Sequence, residues 1–204
     1  MLNTKPRLIF VDGIDGSGKS TTVSQLKVIL GGDNPENIKT CSFPGHNDFG
    51  QMTRPWFVND SQPEHIKLFA ILTEFSIFME DYLNGKYNDY THVICDRFIL
   101  STIHQTNSDS RFIETVKEIV KHYDLHYYLY FITTLTSDDC LKRLEQRGDI
   151  NGGDRKALAE AERTNFIDYA DRLGFRCSLV QLENSGTKLD LFNRLDSFFE
   201  QNPK

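Results

Sequence analysis

The amino-acid sequence predicts an α/β fold, five parallel strands wrapped by crossover helices, and three observations carry that prediction. Short β-rich apolar runs at residues 7–12, 38–43, 92–96, 126–132 and 177–182 punctuate the chain. Longer segments with helical periodicity separate them, the pattern of parallel strands joined by helices. A glycine-rich stretch follows the first run directly and opens the first helical segment. With 204 residues the chain is expected to form one domain, 1–204, because a chain of this size can bury its apolar surface in a single core.

Each helical segment has its own signals. After the first strand, Val23, Leu26 and Leu30 share a face, and Gly31-Gly32 supplies a C-terminal stop. Pro63 opens a second helix with apolar Ile66, Phe69, Ala70, Ile77 and Phe78; Thr73 and Glu74 interrupt it and are expected to face a ligand. A third helix, capped by Ser108 or Asp109, carries Phe112, Ile113, Val116, Ile119 and Val120 at helical spacing. Ser137 is the expected cap of a helix running through Arg147, and a polar gap at 148–155 reads as mobile. Another helix spans 156–173 and stops at Gly174; the last carries Leu189, Phe192, Leu195 and Phe199, with a frayed tail at 201–204.

Composition excludes several classes. Hydrophobic residues make up 39% and charged residues 25%, values of a soluble globular protein rather than a disordered or fibrous one. The balance of 23 Lys+Arg against 29 Asp+Glu, net −6, is too acidic for a protein that coats nucleic acid. No apolar run approaches the roughly 18 residues of a membrane span, and no targeting peptide is visible, so a cytoplasmic location is expected. Cys41, Cys95, Cys140 and Cys177 form no Cys-x-x-Cys pair and read as buried free thiols. His65, His92, His104, His122 and His126 show no metal-ligand spacing.

The segment Gly13-Ile14-Asp15-Gly16-Ser17-Gly18-Lys19-Ser20 fits G-x-x-x-x-G-K-[ST] between a strand and a helix, the context that the phosphate loop of P-loop NTPases requires. Glycines let consecutive N–H groups converge on phosphate oxygens, and the following helix adds the positive end of its dipole. Gly13, Gly16, Ser17, Gly18, Lys19, Ser20 and Thr21 are therefore the expected ATP contacts, Lys19 on the β/γ-phosphates and Ser20 on Mg²⁺. Asp96-Arg97 ends the third strand, where a carboxylate can orient metal-bound water and a guanidinium can reach phosphate. Arg143 and Arg147 share a helical face, and Arg155 lies beyond the polar gap.

Phe10-Val-Asp-Gly-Ile-Asp-Gly-Ser-Gly-Lys-Ser-Thr21, Asp96-Arg-Phe-Ile-Leu-Ser101, Leu141-x-Arg-x3-Arg-Gly148 and Asp154-Arg155 together resemble the thymidylate kinase family, over nearly the whole chain. The resemblance implies ATP and Mg²⁺ with a nucleoside 5′-monophosphate acceptor, a short lid at about 143–156, and a homodimer. It gives Asp15 the acceptor's 3′-hydroxyl and the placement of Arg97, gives Arg97 the acceptor and transferred phosphates, puts Asp96 in the metal's outer shell, and sets Phe43 and Ser101 near the acceptor. Because Gly16-Ser17 stands where one branch of the family carries a loop arginine, the charge on the transferred group is expected from the lid, from Arg155 first and Arg147 second.

Other positions depart from the family. Phe69 matches the aromatic residue that stacks on the acceptor base, but Thr73 stands where an arginine usually reads the thymine carbonyl, and Gln105 replaces an aromatic residue near the sugar. The turn Phe43-Pro44-Gly45-His46 lacks an arginine often found there. Arg54 and Lys67 are the candidates for the missing charge, and His46 reads as a solvated loop residue. The expected activity is phosphorylation of dTMP. Broad deoxynucleoside monophosphate kinase activity, nucleoside kinase activity and a nucleotide-binding module without acceptor chemistry stay open as alternatives.

Overall fold

The computed structural model describes residues 5–59, 61–100, 110–125, 128–148, 168–174 and 179–202. Strands β1 (Arg7–Gly13), β2 (Ile38–Ser42), β3 (His92–Asp96), β4 (Leu129–Thr134) and β5 (Leu179–Glu183) form one sheet in the order β2-β3-β1-β4-β5. Every pairing is parallel. The chain leaves central β1 for β2 on one side and later crosses to β4 on the other. That reversal of winding opens a crevice at the carboxyl ends of β1, β3 and β4, where ligands of such sheets bind.

Around the sheet lie α1 (Lys19–Gly31), α2 (Asp48–Val58), α3 (Glu64–Leu83), α4 (Ser110–His122), α5 (Ser137–Gln146) and α6 (Lys188–Gln201). Alternation along β1 sends Phe10 to one face and Ile9 and Val11 to the other, all at 0–1% exposure. On the first face Phe10 stacks on Tyr130 with ring centroids 4.9 Å apart and meets Phe98 at 4.1 Å, under Leu68, Phe75 and Phe78 of α3. On the second, Ile9, Val11 and Phe131 pack with Leu26 of α1 and with Leu191 and Leu195 of α6. Full burial of such side chains contributes about 1.5–3 kcal/mol each.

Several boundaries differ from expectation. Strand β4 starts at Leu129 and runs on through Thr133 and Thr134, because those residues pair with Gly13 of β1 and Glu183 of β5. Thr136, not Ser137, caps α5: its Oγ1 accepts the Asp139 N–H, and Ser137 is the first helical residue. Helix α2 is not evident from hydrophobic periodicity, since only Gly50 and Thr53 are buried and Pro55 lies inside it. Its N-cap is Asn47, whose side chain accepts from Gly50 N–H at 2.9 Å. Cys41, Cys95 and Cys140 are buried free thiols. Cys177, the caps Ser108 and Asp109, His104, His126 and most of the 156–173 helix lie outside the described residues. No helix among the described residues is long and apolar enough to cross a membrane.

Candidate active site

The loop between β1 and α1 is fixed from below by the ends of β4 and β5. Ser17 Oγ donates to Ile14 O at 2.7 Å and shares a hydrogen bond with Thr133 Oγ1 at 2.6 Å. Asn184, just past β5, donates its Nδ2–H to Ser17 O at 2.8 Å, and Arg143 of α5 donates to Asn184 O at 2.7 Å. Glycine is required at Gly18, where φ is 97° and a Cβ would come within 1.8 Å of Asn184 Nδ2. Gly13 is equally confined, because a Cβ there would lie 2.4 Å from Thr133 Oγ1. The loop's N–H groups are thus aimed by its surroundings as well as by its glycines.

Lys19 leaves the first turn of α1 and is 6% exposed. Its ammonium donates to Gly13 O at 2.8 Å, Ile14 O at 2.9 Å and Asp15 Oδ1 at 3.3 Å. Arg97 donates to the same Asp15 oxygen at 2.7 Å, so one carboxylate holds two cations together. Partial burial alone would raise the Asp15 pKa, but Lys19 and Arg97 hold it below the usual carboxylate value. The Lys19 pKa is pushed down by burial and by the nearby Arg97 charge, against the pull of Asp15 and Asp12. An anion placed between the two cations relieves that repulsion.

Arg97 holds this place at a backbone cost. Its φ is 73°, a left-handed conformation that costs a non-glycine residue roughly 1–2 kcal/mol, and its N–H donates to Val11 O at 2.9 Å. Beside it, Ser20 Oγ donates to Asp96 Oδ2 at 2.8 Å. A hydroxyl next to a carboxylate is a hard-oxygen pair suited to Mg²⁺, which keeps several of its waters.

These groups line a cleft of about 540 Å³ bounded by Asp15, Gly16, Gly18, Lys19, Ser20, Thr21, Ser42, Val58, Asp96, Arg97, Leu144 and Arg147. Lys19, Arg97 and Arg147 face two carboxylates there, a local positive excess on a chain of net charge −6. A model of the thymidylate kinase family matches residues 11–185. The chain belongs to the thymidylate kinase family.

Curated relatives agree with that family. Thymidylate kinase of Brachyspira hyodysenteriae is 26% identical over 166 residues, spanning 81% of each chain. That of Caldicellulosiruptor saccharolyticus is 26% identical over 200 residues, spanning 94% of each. The crystal structure of thymidylate kinase from Ehrlichia chaffeensis superposes with a TM-score of 0.68 at 18% identity, covering 96% of this chain and all of that one, and so shares the fold.

Set against the family's motifs, the residues named from the sequence separate into three groups. Asp15, Gly16, Gly18, Lys19, Ser20, Thr21, Asp96, Arg97 and Arg147 line the cleft, with Gly13 and Ser17 beneath it. Phe69 is 49% exposed on α3, and Thr73, one turn on, is exposed with its hydroxyl donating to Phe69 O. Ser101, Gln105 and Arg155 lie outside the described residues.

Phe43 is 3% exposed and packs on Phe75, Phe78 and His46. Other expectations are corrected. His46 is half-buried, with Nε2 2.7 Å from Tyr87 Oη, rather than solvated. Lys67 is buried and pairs with Glu64 at 2.7 Å, whereas Arg54 lies against Gly45. Glu74 faces the turn instead of a ligand. Asn184, Ser42 and Val58 were not marked by any motif, and Arg143, named as part of the Leu141-x-Arg-x3-Arg-Gly148 pattern, turns to Asn184 O; the one available signal for Asn184 was its place as the first polar residue after an apolar strand's carboxyl end.

Proposed function

We propose that this protein transfers the γ-phosphoryl group of ATP to a deoxynucleoside 5′-monophosphate, dTMP before others, giving ADP and the diphosphate. The observation that carries the reading is the Lys19–Asp15–Arg97 arrangement, in which a P-loop ammonium and a strand-end guanidinium share one carboxylate oxygen. A nucleotide-binding module without acceptor chemistry has no need of the second cation. Lys19 and the loop N–H groups hold the donor phosphates, and Arg97, placed by Asp15, bridges the acceptor phosphate and the group in transfer. Ser20 would hold Mg²⁺ with Asp96 in its outer shell, and the ion would supply charge neutralisation at the phosphates. Phosphoryl transfer needs positioning and charge more than covalent help, which matches a site made of fixed cations.

Asp15 also takes the acceptor's 3′-hydroxyl, and Phe69 offers a π-face to the base. Arg147 stands at the cleft and, with Arg155, belongs to a lid at about 143–156 that excludes water on closing. The same reading includes a single domain, a homodimer and a cytoplasmic location. It is tested by ADP production from ATP and Mg²⁺ with a panel of deoxy- and ribonucleoside monophosphates, thymidine and a no-acceptor control. Turnover led by dTMP is the expected result; no acceptor exceeding the control overturns the reading. Light scattering on the eluted protein checks the dimer.

A further inference from the structure

Glu74 is the least expected residue near the cleft. It lies in the middle of α3 (Glu64–Leu83), is 0% exposed, and is followed by Phe75 and preceded by Leu72 and Thr73. Its Oε1 accepts the N–H of Gly45 at 2.8 Å and of His46 at 2.6 Å. Its backbone carbonyl accepts from Asn47 Nδ2 at 3.2 Å. Its Oε2 is buried without a hydrogen-bond partner among the described residues. Burial pushes the carboxyl's pKa up, against the pull of the N–H groups.

A buried carboxyl with one oxygen unpaired is costly to fold around, so stability alone gives no reason for it. What the carboxyl does hold is the turn. The segment 43–47 starts directly after Ser42 and runs into α2 (Asp48–Val58), and both Ser42 and Val58 line the cleft opposite the phosphate loop. Gly50 of α2 packs so closely on the same carboxyl that a Cβ there would lie 2.0 Å from Oε1. One side chain therefore ties the entry to α2, the first turn of α2 and the middle of α3, next to Thr73. The phosphate loop makes none of these contacts; its own supports are Thr133, Asn184 and Arg143.

We propose that Glu74 is a positioning residue for the acceptor: by clamping the Gly45 and His46 N–H groups and packing on Gly50 it sets where α2, and with it Val58, stands relative to Ser42 and Arg97, which the β2–β3 pairing already holds. The inference rests on the acceptor reading given above and adds a residue that the reading does not contain. Losing the clamp loosens the acceptor side while the donor side keeps its own supports.

The test is steady-state kinetics of Glu74→Ala and Glu74→Gln beside the wild type, with dTMP and ATP varied in turn and folding checked by circular dichroism. In E74A the KM for dTMP is expected to rise about tenfold or more, while the KM for ATP stays within about twofold, a tenfold change being about 1.4 kcal/mol. E74Q keeps an oxygen that accepts both N–H groups and is expected to restore the dTMP KM to within about threefold of wild type. A folded E74A with an unchanged dTMP KM, an equal loss on both substrates, or an E74Q as impaired as E74A each overturns the inference. If E74A does not fold, Glu74→Asp, which withdraws the carboxyl by one methylene, takes its place with the same outcomes. A wild type that turns over no monophosphate overturns the functional reading and this inference together, whereas an active wild type with an indifferent E74A overturns this inference alone.

Discussion

The donor wall of the cleft, built by the loop between β1 and α1, is held from several sides by hydrogen bonds to β4, β5 and α5. The facing wall, from Ser42 through the 43–47 turn to α2, is held by the Glu74 carboxyl of α3 together with the Phe43 N–H on Asp96 O and the His46 ring at Tyr87. The first wall uses short-range sequence, glycines and a lysine in fixed order. Its braces, however, come from Thr133 and Asn184, 116 and 167 positions from Ser17, whereas the second wall is clamped from Glu74, 29 positions from Gly45. The motif fixes which residues meet the phosphates, while side chains far along the chain fix where both walls stand.

That contrast can be broken or sharpened by substitution. The largest expected effect is Lys19→Met, which removes the buried ammonium of the donor wall and should lower kcat/KM by about 10³-fold, as loss of a charged transition-state donor does. The ammonium also caps the Gly13 and Ile14 carbonyls, so circular dichroism is read beside the kinetics, and the spectrum should stay that of the wild type because methionine keeps the aliphatic bulk. Turnover close to wild type would remove Lys19 from the site.

Phe69→Ala probes the acceptor side. Stacking on a base contributes about 1–3 kcal/mol, so the dTMP KM should rise by roughly five- to a hundredfold with little change in the ATP KM. An unchanged dTMP KM would mean that the half-exposed ring serves another surface.

Asn184→Ala strips a support from the donor wall. It leaves the Ser17 carbonyl without its buried donor, a loss of about 1–3 kcal/mol, each kcal/mol being worth about 2–4 °C in Tm for a chain of this size. A thermal melt unchanged by N184A would show that the loop does not depend on the Asn184 brace.

The smallest expected effect is the pH dependence of Glu74. Its folded-state pKa is raised above the ordinary 4.5 by burial, so the folded chain binds that proton more tightly than the unfolded one. The contribution is full below the unfolded value and is lost as pH rises through the folded value. E74Q carries no such ionisation, so its Tm should gain on the wild type as pH rises above the unfolded carboxyl's value. A wild type that instead gains on E74Q with rising pH would mean that the ionised carboxylate is the favoured form.

Much of this was legible in the sequence for reasons that can be named. Five apolar runs separated by helical segments leave few topologies open, and the strand, loop and helix around Gly13–Ser20 make one local unit whose geometry its residue types dictate. Asp96-Arg97 was legible because the carboxyl end of a buried strand is where parallel sheets bind ligands. Helix α2 was not, since Gly50 and Pro55 erase its periodicity and its stability comes from packing on α3. His46 was assigned to solvent because a turn sequence does not tell which side the core lies on.

The sequence by itself determined the parallel α/β architecture, the phosphate loop and the strand-end arginine, because each depends on periodicity or on neighbours within a few residues. Only the tertiary structure decided that Asp15 would hold Lys19 and Arg97 on one oxygen, that Asn184 would brace the loop, and that Glu74 would turn inward to the 43–47 segment. Apart from Asp15–Lys19, four positions apart, those pairings join residues distant in the chain, and their geometry exists only after the sheet has set the register of β1, β3, β4 and β5.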